Sequence, residues 1–388
     1  MPLPQPTTSQ RLPQTFDDIE ARLRRLERRR SGGAGDCVSV LDYGSLLEAV
    51  TAAAAGGFDL CIPENTTVTC STALSNPAWP TSSDAWRGVT IRGHNRYTSK
   101  ISFTATNGGA GTADVEPTLQ HLTVELTAAS RVELSSLTDC DVFDNHTTGV
   151  FFVGAVGSVN GYGVDRVVDC TFVASQNGAN TNFQSATVAN CTFIDTSSTG
   201  AGLYFDTAEV VDCQIRNYKT VSTSSNARNQ LVGCRVEIRN VAGAYAILGG
   251  RVASCGFTGG SSSTFLVDSS LVSASTFSGS KMEAEAGSVL VGCVVSGVPS
   301  GSHSITVTTA GDVLISACFI GAQTSQNAIH CTVNAPIIVT GCLLSGSGGT
   351  GTGVNATGTA ACVVVGNRIA SFATTTSLPA GSVDANNI

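Results

Sequence analysis

Hydrolysis of a glycosidic bond uses two carboxyl groups about 5 to 9.5 Å apart, and the carboxylates of this chain that recur in one setting are Asp139, Asp169 and Asp212. Each stands directly before a cysteine, as Asn190 does. If the segments that carry them stack as layers, Asp139 and Asp169 come one layer apart and Asp169 and Asp212 two, both inside that range. The same position continues as Gly233, Ser254, Gly292, Ala317 and Gly341, so it also reads as a strand entry open to any small or polar residue. A lyase would instead need a base such as Arg or Lys beside acids that hold a cation. Arg166, Arg216, Arg235, Arg239 and Arg251 have no recurring acidic partners of that kind. The five histidines, His94, His121, His146, His303 and His330, are scattered and lack zinc spacing. The glycine-rich stretch 346–353 has no phosphate-loop lysine, and no Gly-x-Ser-x-Gly elbow occurs. No metal and no cofactor is expected, and no catalytic motif is specific.

The elements that would position those aspartates follow from the cysteines beside them. One phrase recurs from Cys140 onward: a polar or small residue, then cysteine, any residue, and an apolar residue. It runs through Cys140/Val142, Cys170/Phe172, Cys191/Phe193, Cys213/Ile215, Cys234/Val236, Cys255/Phe257, Cys293/Val295, Cys318/Ile320 and Cys342/Leu344. Ser275/Phe277 and Asn367/Ile369 fill the same slots without cysteine, and successive marks are 30, 21, 22, 21, 21, 20, 18, 25, 24 and 25 residues apart. A period near twenty with elastic insertions means a solenoid. Leucine-rich repeats are excluded, because neither their leucines nor their consensus asparagine is present. Two marks at i and i+2 share one face of a strand, and Val, Thr, Ile, Phe, Ser and Gly around them are strand and turn residues. The expected fold is all-β, a right-handed parallel β-helix of about 20–25 residues per coil with the cysteines as an internal column.

Composition narrows the partners. Only 13% of residues are charged, which suits a sheet surface of Ser, Thr and Asn. Net charge is −8, but residues 1–35 carry seven Arg against four acids, leaving −11 on the rest. An acidic body argues against nucleic acid. In-register residues on parallel strands are poorly placed for disulfides, so the column is expected to consist of buried free thiols. There is no secretory segment after Met1 and no apolar run near 18 residues, so neither a signal peptide nor membrane insertion is expected, and folding is expected in a reducing cytoplasm.

Taken in order, residues 1–35 form an arm. Thr15 caps an expected helix over 16–30, with acids in its first turn and arginines in its last. Phe16, Ile19, Leu23 and Leu26 step by 3, 4 and 3, a coiled-coil seam for self-association, and residues 31–35 form a Gly-rich linker. A strand and turn are expected over 38–44 and an Ala-rich capping helix over 45–55. Trp79 and Trp86 sit in a Pro/Ser-rich loop, readable as a plug over the helix end or as a platform for sugars. The coils over 102–133 read as less regular, and Phe151-Phe152-Val153-Gly154 reads as an insertion. The body is assigned to 36–370, and residues 371–388, where the period is lost, to a closing segment or tail.

Asp42-Tyr43-Gly44, the Ala-rich helix, Gly56-Gly57, the strand ending at Pro63-Glu64-Asn65, and Val89-Thr90-Ile91-Arg92-Gly93 together resemble the start of the pectate-lyase-like β-helix superfamily. Asn190-Cys191-Thr192-Phe193 is also similar to its coils, although the Gly-Asp-Gly-x-x-Asp-Asp segment common after the first turn is missing. The order of arm, heptad helix, glycine linker and β-helix resembles minor tail proteins, tailspikes and fibres of bacteriophages. That resemblance implies a structural virion protein, a homotrimer whose arm binds other tail proteins and whose body meets host-surface polysaccharide. The alternatives are a tailspike depolymerase, with Asp139, Asp169 and Asp212 as its candidates, and a non-viral β-helix acting on surface polysaccharide.

Overall fold

The computed structural model describes residues 37–70, 89–104, 118–126, 132–134, 136–144, 150–153, 165–176, 180–184, 186–223, 229–358 and 360–388. The chain winds as a right-handed parallel β-helix of three sheets. The first sheet has 16 strands, from Val38–Ser39 to Val383–Ala385. The second has 14, from Thr66–Cys70 to Arg368–Ala370, and the third 12, from Val132–Leu134 to Thr374–Ser377. Successive strands of a sheet belong to successive coils, so every neighbour in a sheet comes from the next coil. The arm with Phe16, Ile19, Leu23 and Leu26, and the loop with Trp79 and Trp86, lie outside the described residues. Among the described residues no helix is long and apolar enough to cross a membrane.

Alternation along each strand separates inside from outside. Leu231, Val252 and Val272 of the first sheet face Val236, Phe257 and Phe277 of the second, all buried. Like side chains meet at the coil repeat. Phe257 and Phe277 stack with centroids 4.7 Å apart, Phe172 and Phe193 at 4.9 Å, and Phe183 and Phe205 at 5.4 Å.

From Asp139 onward the turn from the first sheet to the second pivots on a single residue of positive φ: Asp139 (52°), Asp169 (57°), Asn190 (54°), Asp212 (52°), Gly233 (66°), Ser254 (55°), Ala317 (52°) and Gly341 (64°). This left-handed corner explains the Asp, Asn and Gly before each cysteine, since these types adopt it at least cost. The residue after the corner points inward, and its own N–H runs along the axis with no strand partner. The next coil supplies the acceptor. Cys191 N donates to Cys213 Sγ at 3.4 Å, Cys213 N to Cys234 Sγ at 3.5 Å and Cys234 N to Cys255 Sγ at 3.4 Å. Cys255 N donates to Ser275 Oγ at 3.2 Å and Cys342 N to Asn367 Oδ1 at 2.8 Å, so the substitutes seen in the sequence do the same work. Each thiol in turn lies within reach of backbone carbonyls, as Cys191 Sγ does of Ala189 O at 3.2 Å. Hydrogen bonding along the column, chiefly with the preceding cysteine, and burial push the Cys213 and Cys234 thiols up to about 12.

Several expectations change here. The coils over 102–133 are regular where described: Asp141 pairs with Thr123 and Thr123 with Lys100, which puts buried Leu122 and Ser99 in the cysteine slot. Val150–Val153 is a third-sheet strand paired on both sides, not an insertion. The period continues past Ser371, because Val383–Ala385 joins the first sheet and Asn387 Oδ1 accepts from Asn367 N at 2.9 Å. The first strand is only Val38–Ser39, since Ser39 caps a 3-10 turn over Val40–Asp42. Twelve cysteines are buried thiols, those of the column among them as expected, and outside the column Cys37 and Cys61 form a disulfide. Val38 pairs with Leu60 and Ser39 with Cys61, so the two cysteines stand diagonally rather than in register, with Cα atoms 5.4 Å apart. The capping helix is present as α1 (Leu46–Gly56), with Ser45 Oγ accepting from Glu48 N and Gly57 closing it in the left-handed conformation.

Cys234→Val, which leaves the Cys213 N–H without an acceptor, is expected to cost about 2 kcal/mol in denaturant unfolding. Cys234→Ser, the chemistry already used at Ser275, is expected to cost less than half as much. Equal losses would mean that the thiol acts there by volume alone.

Candidate functional site

With the inside committed to packing, chemistry is left to the outward positions, and the three sheets differ. The third sheet presents one in-register line of Asn182, Tyr204, Ser222, Ile247, Leu266, Glu283, Thr306, His330 and Asn355. Beside it runs a second line of Thr220, Tyr245, Thr264 and Lys281. Tyr245 is 38% exposed and Tyr204 is half-buried. Burial, reinforced by Tyr245, raises the Tyr204 phenol above its ordinary value, so it stays a neutral hydroxyl. An aromatic face flanked by hydroxyl, amide and imidazole groups is the surface that stacks on a sugar and bonds its hydroxyls.

Two histidines mark the lower part of this face. The rings of His303 and His330 lie 4.1 Å apart between centroids. Asn327 fixes both: its backbone N–H donates to His303 Nδ1 and its side-chain Nδ2 to His330 Nδ1, each at 3.2 Å. The amide orientation is set because Asn327 Oδ1 accepts from Thr352 N at 2.9 Å. Both Nδ1 atoms are therefore acceptors, and each neutral ring carries its proton on Nε2. Burial lowers both pKa values from the ordinary imidazole range, with His330 adding to the effect on His303. At the third sheet's far edge, Glu285 follows Glu283 and stands in register one coil from Asp268. Burial and then the neighbouring Asp268 raise the Glu285 carboxyl, and Lys281 Nζ pairs with Glu283 at 2.6 Å.

The sequence-predicted aspartates occupy a different edge, the corner between the first and second sheets. Asp139 has both oxygens engaged, with Arg96 Nη1 at 3.1 Å from Oδ1 and His121 Nδ1 at 2.8 Å from Oδ2. Arg96 Nε also approaches Asp141 at 3.7 Å, and the neighbouring Tyr97 is exposed. Asp169 is exposed one coil further on, and Asp212, also exposed, leans over Gly233, where any Cβ would meet its carboxylate. The recurrence of these aspartates is accounted for by the corner's positive φ. Tyr204, Tyr245, His303 and His330 had no comparable signal, because the corners between the second and third sheets vary in length and break the count from the cysteines.

No family model and no curated protein matches the chain. Among solved structures, it aligns with the Azotobacter vinelandii mannuronan C-5 epimerase AlgE6 A-module at 15% identity and TM-score 0.39, over 90% of this chain and 98% of that one. It aligns with tailspike protein 3 of bacteriophage CBA120 at 11% identity and TM-score 0.34, over 91% and 61%. The catalytic unit of a thermostable GH87 alpha-1,3-glucanase from Streptomyces thermodiastaticus strain HF3-3 aligns at 13% identity and TM-score 0.31, over 92% and 69%. At such values the function has to be argued from the chain's own residues.

Because the folded pKa of His303 and His330 is lowered, the unfolded chain binds more protons, and the pair's contribution to stability is present above about pH 6.5 and lost as pH falls below it. Thermal unfolding of the native chain is expected to move to lower temperature from pH 7.5 to 5. His330→Gln should flatten that dependence, and an unchanged slope would remove the assignment.

Proposed function

We propose that this chain is a β-helix of a bacteriophage particle that binds surface polysaccharide along its third sheet. The observation that carries the reading is the outward face of the third sheet, where Asn182, Tyr204, Ser222, Thr306, His330 and Asn355 share one in-register line, interrupted by Ile247, Leu266 and Glu283, with Thr220, Tyr245 and Thr264 in the line beside it. Coils repeat at about 4.8 Å, so an extended chain of sugars lying along the axis meets a fresh set of side chains at each coil. In this reading Trp79 and Trp86 add a second aromatic platform. Phe16, Ile19, Leu23 and Leu26 join three copies and attach them to other virion proteins. The sequence order of arm, linker and β-helix supports the virion assignment.

Binding to an array of purified bacterial capsular and cell-wall polysaccharides tests the glycan reading. Tyr245→Ala and Tyr204→Ala are each expected to weaken the retained glycan about tenfold, which is 1.4 kcal/mol of lost contact. Equal binding by both variants, or no glycan retained by the native chain, would end the reading.

Cleavage of the same polysaccharide is the second reading, favoured by Asp268 and Glu285 meeting at the edge of this face with the Glu285 carboxyl raised toward a proton-donating form. Its test is release of reducing ends or unsaturated sugars from the retained glycan. Glu285→Gln should abolish release with binding intact, while Asp139→Asn, Asp169→Asn and Asp212→Asn examine the corner aspartates in the same assay. No product from the native chain leaves binding alone.

A further inference from the structure

The outward faces of the first two sheets change character along the axis. In the first sheet one outward line reads Arg166, Thr187, Glu209, Gln230 and Arg251 over successive coils, then turns apolar at Leu271. It stays apolar for six coils, through Val289, Leu314, Ile338 and Val363 to Val383. Leu271 is 41% exposed, Ile338 42% and Val383 50%. Across the corner, Val294, Phe319 and Leu343, each 37% exposed, form a shorter apolar line in the second sheet between Thr276 and Arg368. No outward position of the first sheet from Leu271 to Ala385 is charged.

We propose that this corner is where copies of the chain pack side by side, the first-sheet face of one copy against the second-sheet face of the next. Three arguments select a second copy as the occupant. Chains of net charge −8 repel each other, and they approach most closely where the surface has no charge. Six coils of the first sheet and three of the second, at about 4.8 Å each and about 10 Å wide, give on the order of 400 Å² of projected surface per chain. That is about half of the roughly 800 Å² of accessible surface per partner buried in a specific interface, and side-chain relief adds to the projected figure. Both lines also repeat at the coil spacing, so two parallel copies stay in step over the whole length, and a contact between unlike faces repeats around an axis until the ring closes. The chain's own arm is the weaker occupant. Leu271 lies nine coils from Leu60, roughly 43 Å along the axis. The five-residue linker and the fifteen-residue helix expected from the sequence would span about 40 Å, and the apolar line runs on for five more coils.

The inference adds a body interface to the self-association proposed for the arm, and the test separates the two. In the full chain, sedimentation over a range of concentrations measures the dissociation concentration of the oligomer. Ile338→Glu and Leu343→Glu are each expected to raise it at least tenfold with the circular dichroism of the β-helix retained. The double variant Ile338→Glu/Leu343→Lys, which sets opposite charges face to face between neighbours, is expected to recover most of the loss. Should a charged variant fail to fold, Ile338→Thr and Leu343→Thr keep strand-forming side chains and are expected to raise it about threefold. Thr187→Glu, on the same sheet outside the apolar line, is expected to change nothing. A monomeric native chain, face variants that dissociate as the native chain does, or an equal effect of Thr187→Glu overturns the proposal. Leu23→Glu reports on the arm separately: the body interface stands if that variant dissociates as the native chain does while Ile338→Glu does not.

Discussion

From Asp139 onward each coil of this helix turns from its first strand to its second at one left-handed residue, and that turn leaves one backbone N–H pointing along the axis into the core. An unpaired amide buried there costs about 1–3 kcal/mol, and the cost recurs once per coil. The side chain in the next coil's inward slot must therefore accept a hydrogen bond and still be small enough to pack. Sulfur meets both demands, and Cys213, Cys234 and Cys255 each take the N–H of the cysteine before. Ser275, Asn367 and Asn387 satisfy the same demand with oxygen. The column is a chain of donors and acceptors as much as a packed core.

The same arrangement keeps those sulfurs reduced. Each accepts from an amide one coil away, which holds neighbouring sulfurs at about the 4.8 Å coil spacing, well beyond the roughly 2.05 Å of a disulfide. Closing such a bond would break the hydrogen bonds above and below it. Cys37 and Cys61 escape the constraint because they stand outside the column and diagonal to each other. Oxidation of this chain is thus set by register, and the two sulfur chemistries coexist in one fold.

What was legible in the sequence is what the corner forces to recur. The cysteine slot, its apolar companion two residues later, and the residue with positive φ before it share one phase, so the coil count and the parallel stacking could be read directly. The aspartates at 139, 169 and 212 drew attention because they recur, and their recurrence follows from φ. Ser99 and Leu122 were missed because a hydroxyl and an aliphatic side chain fill the slot without the cysteine mark. The third sheet was not legible at all. Its strands are reached through corners of unequal length, and its outward residues differ from coil to coil because no backbone requirement repeats there.

That difference locates function in the fold. Inward and corner positions answer to the same demand in every coil and have little freedom to specialise, whereas outward positions meet no shared demand. A solenoid of this kind can therefore change one face without disturbing another. The chain does so twice, placing hydroxyl, imidazole and aromatic groups along the third sheet and removing charge from the outward line of the first sheet after Arg251. A face that binds an extended polar ligand must stay open along the axis, while a face that meets another copy must be covered. In the proposed arrangement both requirements are met on the same coils, because the third sheet lies away from the corner between the first two.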